Sequence, residues 1–277
     1  MAWVLVLGWA GANAGPLADG PAIALIMDDM GNQLDGGLAA LQLPGALTFS
    51  FLPHTPHAAT LAQRAHALGQ EVMLHLPMDS QAGKSLGPGA LTADMGEAEL
   101  QATLRNNLAA VPHVRGVNNH MGSLLTRQPQ AMQWLMAGLR QYGDLYFVDS
   151  RTTPRTVAGP TAAAYLVPTA RRDLFLDNDR DPAMIHRQFK RLVSLARRKG
   201  ATIGIAHPYP ETLAVLSEEL VALPATGVRQ VTVSRLIQIQ AGGKRLWQAS
   251  SSPSPKVAKN SKPSPSSICC AEPESLW

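Results

Sequence analysis

Apolar runs alternate with amphipathic stretches along this chain, and most of the runs stop at a polar residue able to do chemistry. Ile23 to Met27 is uninterruptedly apolar, as a parallel strand covered on both faces requires, and it ends at Asp28-Asp29. Gln33 to Leu41 reads as a helix, Ala46 to Phe51 as a strand and Ala58 to Leu68 as a helix. Glu71 to Leu74 is a short strand ending at His75. Thr92 to Ala110 holds a helix whose start carries Glu97 and Glu99, as its dipole prefers. Val114 to Val117 leads into Asn118, Asn119 and His120. Gln130 to Gln141 is an amphipathic helix, Leu145 to Val148 a strand ending at Asp149, and Ala162 to Val167 another strand. Asp181-Pro182 opens a long basic helix to Lys199, which Gly200 stops. Thr202 to Ala206 is a strand ending at His207. A helix from Glu211 to Leu220 and a strand near Val231 to Leu236 complete the pattern.

About seven strand–helix alternations predict a parallel α/β architecture with right-handed crossovers. The expected fold is a (β/α) barrel of seven or eight parallel strands, regular or irregular in outline, over residues 20–240. A chain of 277 residues, 45% of them hydrophobic, suits one such domain. Residues 241–277 are rich in Ser, Pro and Lys and read as a disordered tail. At the other end, residues 1–14 form a short apolar run closing on Ala12-Asn13-Ala14. This resembles a secretory signal peptide, although no Lys or Arg precedes the run, and is too short to span a bilayer. The expectation is an exported, periplasmic protein, peripheral to the membrane at most.

The net charge of +4 is mild. Much of the excess lies at Arg171, Arg172, Arg187, Lys190, Arg191, Arg197, Arg198 and Lys199, on or near the long predicted helix. No aromatic residues interleave with these charges, so they read as a solvated face and nucleic acid is not an expected partner. Cys269 and Cys270, adjacent in the tail, can neither cross-link a core nor make a zinc knuckle. The sequence sets no oligomeric state.

The chemistry lies in position. Asp28-Asp29, His75, His120, Asp149 and His207 each follow a different predicted strand. A barrel brings such residues to one mouth. Strand alternation points Asp28 and Asp29 in different directions. Two carboxylates in a desolvated site cannot both ionise without a compensating cation. The pair therefore suits a metal site, one Asp as ligand and the other as base; the simpler alternative is a helix cap beside a solvated acid. One carboxylate with two imidazoles leaves positions open for water and substrate. That favours catalytic Zn²⁺, with Fe²⁺ or Co²⁺ as alternatives. Asp28, Asp29, His75, His120 and His207 are the candidates for ligands, base and acid.

Five motifs occur in series: Ile26-Met-Asp-Asp-Met-Gly31, Leu74-His-Leu-Pro-Met78, Gly116-Val-Asn-Asn-His-Met-Gly-Ser123, Phe147-Val-Asp-Ser-Arg-Thr152 and Ala206-His-Pro-Tyr-Pro210. Together the chain resembles the divergent polysaccharide deacetylase family from about Ala22 to Leu236. That family is a distant branch of the carbohydrate esterases, which remove N- or O-acetyl groups from chitin-like and peptidoglycan-like polymers. The resemblance implies a barrel with one divalent metal ion, zinc first, at its mouth. It implies Asp28 as base, Asp29, His75 and His120 as ligands, and His207 as general acid. Asn119 and Ser123 would orient ligands or substrate. Asp149, Ser150 and Arg151 would line the pocket, with Asp149 a partner for a catalytic histidine. The better-known deacetylases carry both metal histidines as His-x-x-x-His. Leu76-Pro-Met-Asp79 follows His75 here, so the second imidazole must come from elsewhere, and His120 is the candidate. The expected function is metal-dependent removal of acetyl groups from an amino-sugar polysaccharide or related envelope glycan. The alternatives are a non-catalytic, metal-containing glycan- or peptidoglycan-binding envelope protein, or a different metal-dependent hydrolase or lyase on the same barrel.

Smaller features are open to two readings. His54 and His57 border the mouth or lie in a solvated loop. Ala82 to Gly89 reads as a mobile loop beside the cleft. Asp177-Asn178-Asp179 binds a cation or forms the turn before the long helix, with Asp177 placed to reach the site.

Overall fold

The computed structural model describes residues 20–241; the predicted leader and nearly all of the predicted tail lie outside the described residues. Nine parallel strands and eight α-helices follow one another. They are β1 (Ala22–Met30), α1 (Leu34–Ala40), β2 (Thr48–Phe51), α2 (Ala58–Ala67), β3 (Glu71–Met78), α3 (Glu97–Ala110), β4 (Val114–Met121), α4 (Pro129–Gln141), β5 (Tyr146–Asp149), α5 (Ala158–Ala164), β6 (Thr169–Arg171), β7 (Leu174–Phe175), α6 (Pro182–Lys199), β8 (Ala201–Ala206), α7 (Pro210–Ala222), β9 (Arg229–Gln230) and α8 (Val233–Gln240).

The sheet runs β6-β5-β4-β3-β2-β1-β8-β7, with β9 added beside β1. Its two ends are one stretch of chain, because only Arg172 and Asp173 separate β6 from β7. Arg172 N donates to Asp149 O on β5, and Asp173 N donates to Ile203 O on β8, so this stretch bridges the strands next to the two ends and curls the sheet into a barrel. The strand after β5 is therefore at 169–175 and not at Ala162–Val167, where the sequence suggests one. The alanines there belong to α5, and Leu166 in the left-handed region (φ 58°) ends that helical segment. The predicted strand near Val231 to Leu236 is also a helix. Thr232 caps α8 by accepting from Arg235 N, and Val233, Leu236 and Ile237 share its buried face.

Side-chain alternation divides the core in two. Ile23, Leu25 and Met27 of β1 join the layer beneath the helices. Ala22, Ala24 and Ile26 pack inside the barrel with Met73, Tyr146, Val148, Ile203 and Ile205. The floor of the lumen is polar. Glu71 Oε1 accepts from Thr48 Oγ1 (2.9 Å), Tyr146 Oη (2.8 Å) and the Ser234 amide at the start of α8 (3.1 Å). Val233 N donates to Thr48 Oγ1. This end of the barrel is thus stoppered by α8, and the opposite end, where the strands finish, carries the mouth.

Gly116 on β4 leaves room for the Tyr146 ring, since a Cβ there would lie 2.2 Å from Tyr146 Cε2. Tyr146 is fully buried and tied to Glu71, so it cannot withdraw freely. Gly116→Ala is expected to destabilise the fold by about 1–3 kcal/mol, read from chemical denaturation, as overpacked cores do.

Candidate metal centre

β1 delivers two successive carboxylates to the mouth by breaking its own alternation. Asp28 continues the lumen-facing series of Ala22, Ala24 and Ile26. Asp29 would fall on the helix side, but its backbone is left-handed (φ 57°), and the pairing of β1 with β2 shifts register between Met27 and Met30. Both side chains reach His75. Its Nε2 is 3.2 Å from Asp29 Oδ1, and its Nδ1 is 3.6 Å from Asp28 Oδ1. The expectation that the pair diverges is corrected by this local turn of the strand.

β3 and β4 run further than their apolar runs suggest, so His75, Asn118, Asn119 and His120 lie within strands. His75 is paired in register with Asn118, and Pro77 with His120. His120 Nδ1 lies 3.0 Å from Asp29 Oδ1 and 3.1 Å from His75 Nε2. Three donor atoms thus form a triangle with sides of 3.0–3.2 Å. Ligands about 2.0–2.1 Å from one tetrahedral ion stand roughly 3.3 Å apart, so the triangle matches a single small cation. Asp29 Oδ1 is buried and accepts no hydrogen bond, an orphan that a cation would satisfy. Asp29, His75 and His120 are the group among the described residues able to hold a metal ion.

Asn118, fully buried, aligns this set. Its Oδ1 accepts from His75 Nδ1 (2.7 Å) and Ser50 Oγ (2.7 Å), and its Nδ2 donates to Asp28 Oδ1 (2.8 Å). The first bond places a His75 proton on Nδ1 and turns Nε2 toward Asp29, where a cation would take its lone pair in place of a proton. In the sequence Asn118 reads only as a strand residue leading to His120. Its inward register, two residues before His120, is the signal that finds it.

His207 closes the opposite side, its Nε2 3.9 Å from Asp29 Oδ2. Its partner is Asp177, whose Oδ1 accepts from His207 Nδ1 (2.9 Å) and whose Oδ2 accepts from His207 N (2.7 Å) and Thr212 Oγ1 (3.0 Å). Asp177 is buried, and Asp181 caps the long helix, so the turn reading of Asp177 is set aside. Asp149 does not take the partner role. Its carboxylate accepts from Arg151 N and Thr156 Oγ1. The sequence signal for Asp177 is the same strand-end rule, since it follows β7, a strand too short to be noticed. An aromatic column holds the His207 ring: Phe175 stacks on it (6.2 Å) and Tyr209 tilts against it (5.5 Å). Arg172 lies over Phe175 at 3.7 Å, and Arg180 over Tyr209 at 4.0 Å.

The remaining candidates frame the mouth. Asn119 accepts from Ser150 N and donates to Met121 O, tying the ends of β4 and β5 together. Ser123 Oγ accepts from Gln81 N. Ser150 is buried with its hydroxyl unpartnered. The Ser150 and Arg151 carbonyls accept from the Arg172 guanidinium. His54 donates to Asn107, which bonds Gly89 O, so it anchors the Gly/Pro-rich loop. His57 precedes α2 as its N-cap residue.

The electrostatics are those of an acid–imidazole cluster. Burial pushes the Asp28 carboxyl above its ordinary range, against the pull of His75, His207 and Asn118. Burial also opposes ionisation of Asp29, but the adjacent His120 and His75 rings hold it far below that range. His75 is disfavoured as a cation by burial, yet Asp28 and Asp29 raise it to about 9. His207 is raised likewise, with burial outweighed chiefly by Asp177.

Residues 25–237 match the model of the divergent polysaccharide deacetylase family, and the chain belongs to it. An uncharacterized protein of Escherichia coli K12, YibQ, is 38% identical over 202 residues, 73% of this chain and 63% of that relative. The chain thus spans less than two thirds of that protein. An uncharacterized protein of Haemophilus influenzae is 35% identical over 73% of this chain and 72% of its own length. Among solved structures, an uncharacterized protein from Agrobacterium tumefaciens aligns with TM-score 0.75 and 26% identity over 83% of this chain and 92% of its own. The peptidoglycan deacetylase PdaC from Bacillus subtilis shares the fold at TM-score 0.50 and 17% identity, covering 82% and 96% of the two chains. A CE4 family pseudoenzyme from Bacillus anthracis does so at TM-score 0.50 and 14% identity, covering 79% and 66%.

Elemental analysis of the purified protein tests the triad. The wild type is expected to hold one divalent ion per chain, and His75→Ala or His120→Ala to hold none; unchanged content in both variants refutes the assignment. Asn118→Leu is expected to weaken metal affinity about 10–100-fold, measured by chelator competition, because it frees the His75 ring.

Proposed function

We propose that this member of the divergent polysaccharide deacetylase family is a metal-dependent hydrolase that removes acetyl groups from an amino-sugar glycan of the cell envelope. The observation that carries the reading is the arrangement around Asp29. Three donor atoms converge on one point, while a separate carboxylate, Asp28, and a separate acid-supported imidazole, His207, approach that point from other directions. A site that only bound metal has no use for the last two.

Asp29 Oδ1, His75 Nε2 and His120 Nδ1 would hold the ion. When bound, it supplies Lewis-acid chemistry, polarising an acyl carbonyl and acidifying water. The chain's own groups handle the protons. Asp28, oriented by Asn118, takes a proton from the attacking water. His207, fixed by Asp177 through Nδ1 and by the aromatic column, delivers a proton from Nε2 to the departing amine. Asp28 is nearly inaccessible to solvent at 2% exposure, so water reaches it only from the mouth. Cavities open on both sides of Asp29, which gives an extended glycan room to cross. Fold kinship with the B. subtilis peptidoglycan deacetylase is consistent with this substrate class. Zinc is the proposed metal, since the donor set of one carboxylate and two imidazoles suits it. The periplasm is the proposed compartment, resting on the apolar leader alone. No helix among the described residues is long and apolar enough to cross a membrane.

Acetate release from N-acetylglucosamine oligomers by the zinc-loaded protein tests the reading. Asp28→Asn is expected to keep its metal and lose about 10²–10⁴-fold in rate, and His207→Ala to fall similarly. Wild-type protein that binds the oligomers but releases acetate no faster than Asp28→Asn is a binding protein and not an enzyme.

A further inference from the structure

The two cavities beside Asp29 differ in chemistry. One, of about 300 Å³, reaches past His120 to Leu52, Pro53, Pro77, Leu86 and Pro88. Beyond Asp29 and His120 it presents no titratable side chain. The other, of about 430 Å³, runs past His207 to Tyr209 and Arg180. Both share Asn32, so they are two arms of one groove across the mouth.

Arg180 is the cation of the second arm. Its guanidinium rests on the Tyr209 ring at 4.0 Å, which restricts its motion and thins its hydration. The acids around it in sequence are otherwise engaged. Asp177 holds His207, Asp179 accepts from Asp181 N, and Asp181 caps α6. No carboxylate among the described residues lies within ion-pair distance of Arg180. Arg172, stacked on Phe175 at the other end of the column, offers a contrast: it spends Nε and Nη2 on the carbonyls of Ser150 and Arg151. One arginine is consumed by the fold, and the other faces the groove with its donors unspent.

We propose that the Arg180 arm is a subsite for a carboxylate carried by the glycan, on the sugar next to the one whose acyl group faces Asp29. The proposal rests on the glycan-directed reading above and narrows its substrate to an acidic amino-sugar polymer, in place of a neutral chitin-like one. A planar guanidinium fork takes a carboxylate through two parallel hydrogen bonds. A single cation balances a monoanionic carboxylate, whereas a dianionic phosphate would leave charge uncompensated near Asp29. Because the other arm carries no such cation, the acidic sugar also sets the direction in which the polymer lies.

Calorimetric binding to the zinc-loaded full chain tests this, using two disaccharides. One is N-acetylglucosamine joined to N-acetylmuramic acid, whose lactyl ether ends in a free carboxylate. The other is neutral diacetylchitobiose. Wild-type protein is expected to bind the acidic sugar about tenfold more tightly, with the preference shrinking as salt is raised. Arg180→Gln is expected to lose that preference while its affinity for diacetylchitobiose changes less than about twofold, and Arg180→Lys to retain part of it. Equal affinity of the wild type for both sugars overturns the subsite and leaves the glycan reading standing. Equal weakening of both sugars in Arg180→Gln overturns it too, as the mark of a structural role. Binding of neither sugar overturns the subsite together with the glycan reading.

Discussion

The mouth depends on one backbone angle. Asp29 adopts φ 57°, a left-handed conformation that costs a non-glycine residue roughly 1–2 kcal/mol and that aspartate tolerates better than most. Without it the carboxylate would follow Ile23, Leu25 and Met27 into the apolar layer beneath the helices, and the histidines of β3 and β4 would face an empty centre. The next residues support the turn. Gly31 also has positive φ (117°), and a Cβ there would meet Thr55 Oγ1 at 2.2 Å, so the chain leaves β1 pressed against the loop before α2. Asp-Asp-Met-Gly is therefore one geometric unit. It presents a buried carboxylate and a half-exposed one to the same imidazole.

Two acids, with histidines around them, at the end of a closely packed barrel pose a desolvation problem. The structure meets it with a neutral amide. Asn118 satisfies Asp28, His75 and Ser50 at once, and its three bonds leave no freedom in which way the amide faces. An arginine in that place would pair with Asp28 and hold it ionised. An amide leaves the basicity of Asp28 to be set by its burial and its neighbours. The far end of the lumen uses another device. Glu71 Oε1 is satisfied by two hydroxyls and by a backbone amide at the amino end of α8, which ties the floor of the barrel to its stopper.

The same contrast explains how much could be read from the sequence. Apolar runs stopping at Asp28, His75 and His207 carry the barrel and its mouth, because strand ends converge whatever the details of the sheet. What escaped was set by tertiary contacts. The alanine-rich stretch at 162–164 has no periodicity to separate strand from helix. Val231 and Val233 look β-like until Thr232 is seen to cap a helix over the barrel floor. Two-residue β7 is invisible as a strand, so the sequence brings Asp177 toward the site without showing that it holds His207. The break in alternation at Asp29 is likewise a backbone decision that side-chain pattern cannot express. The family resemblance implies Asp149 as the histidine's partner, but its carboxylate is spent on the loop after β5.

The barrel alone does not distinguish an enzyme from a binding protein, since the fold is shared by a peptidoglycan deacetylase and by a pseudoenzyme. The groups that support the proposed hydrolase stand outside the candidate metal triad. Asp177 is buried solely to hold a histidine, a helix hydroxyl and one backbone amide, and an apolar side chain in its place would spare the fold the desolvation of a carboxylate. Phe175 and Tyr209, packed against the two sides of His207, fix the plane of the imidazole while leaving its Nε2 edge toward Asp29. Binding a glycan requires neither a buried partner for His207 nor control of its ring plane. A proton donor to a departing amine, the role proposed for His207, gains from both.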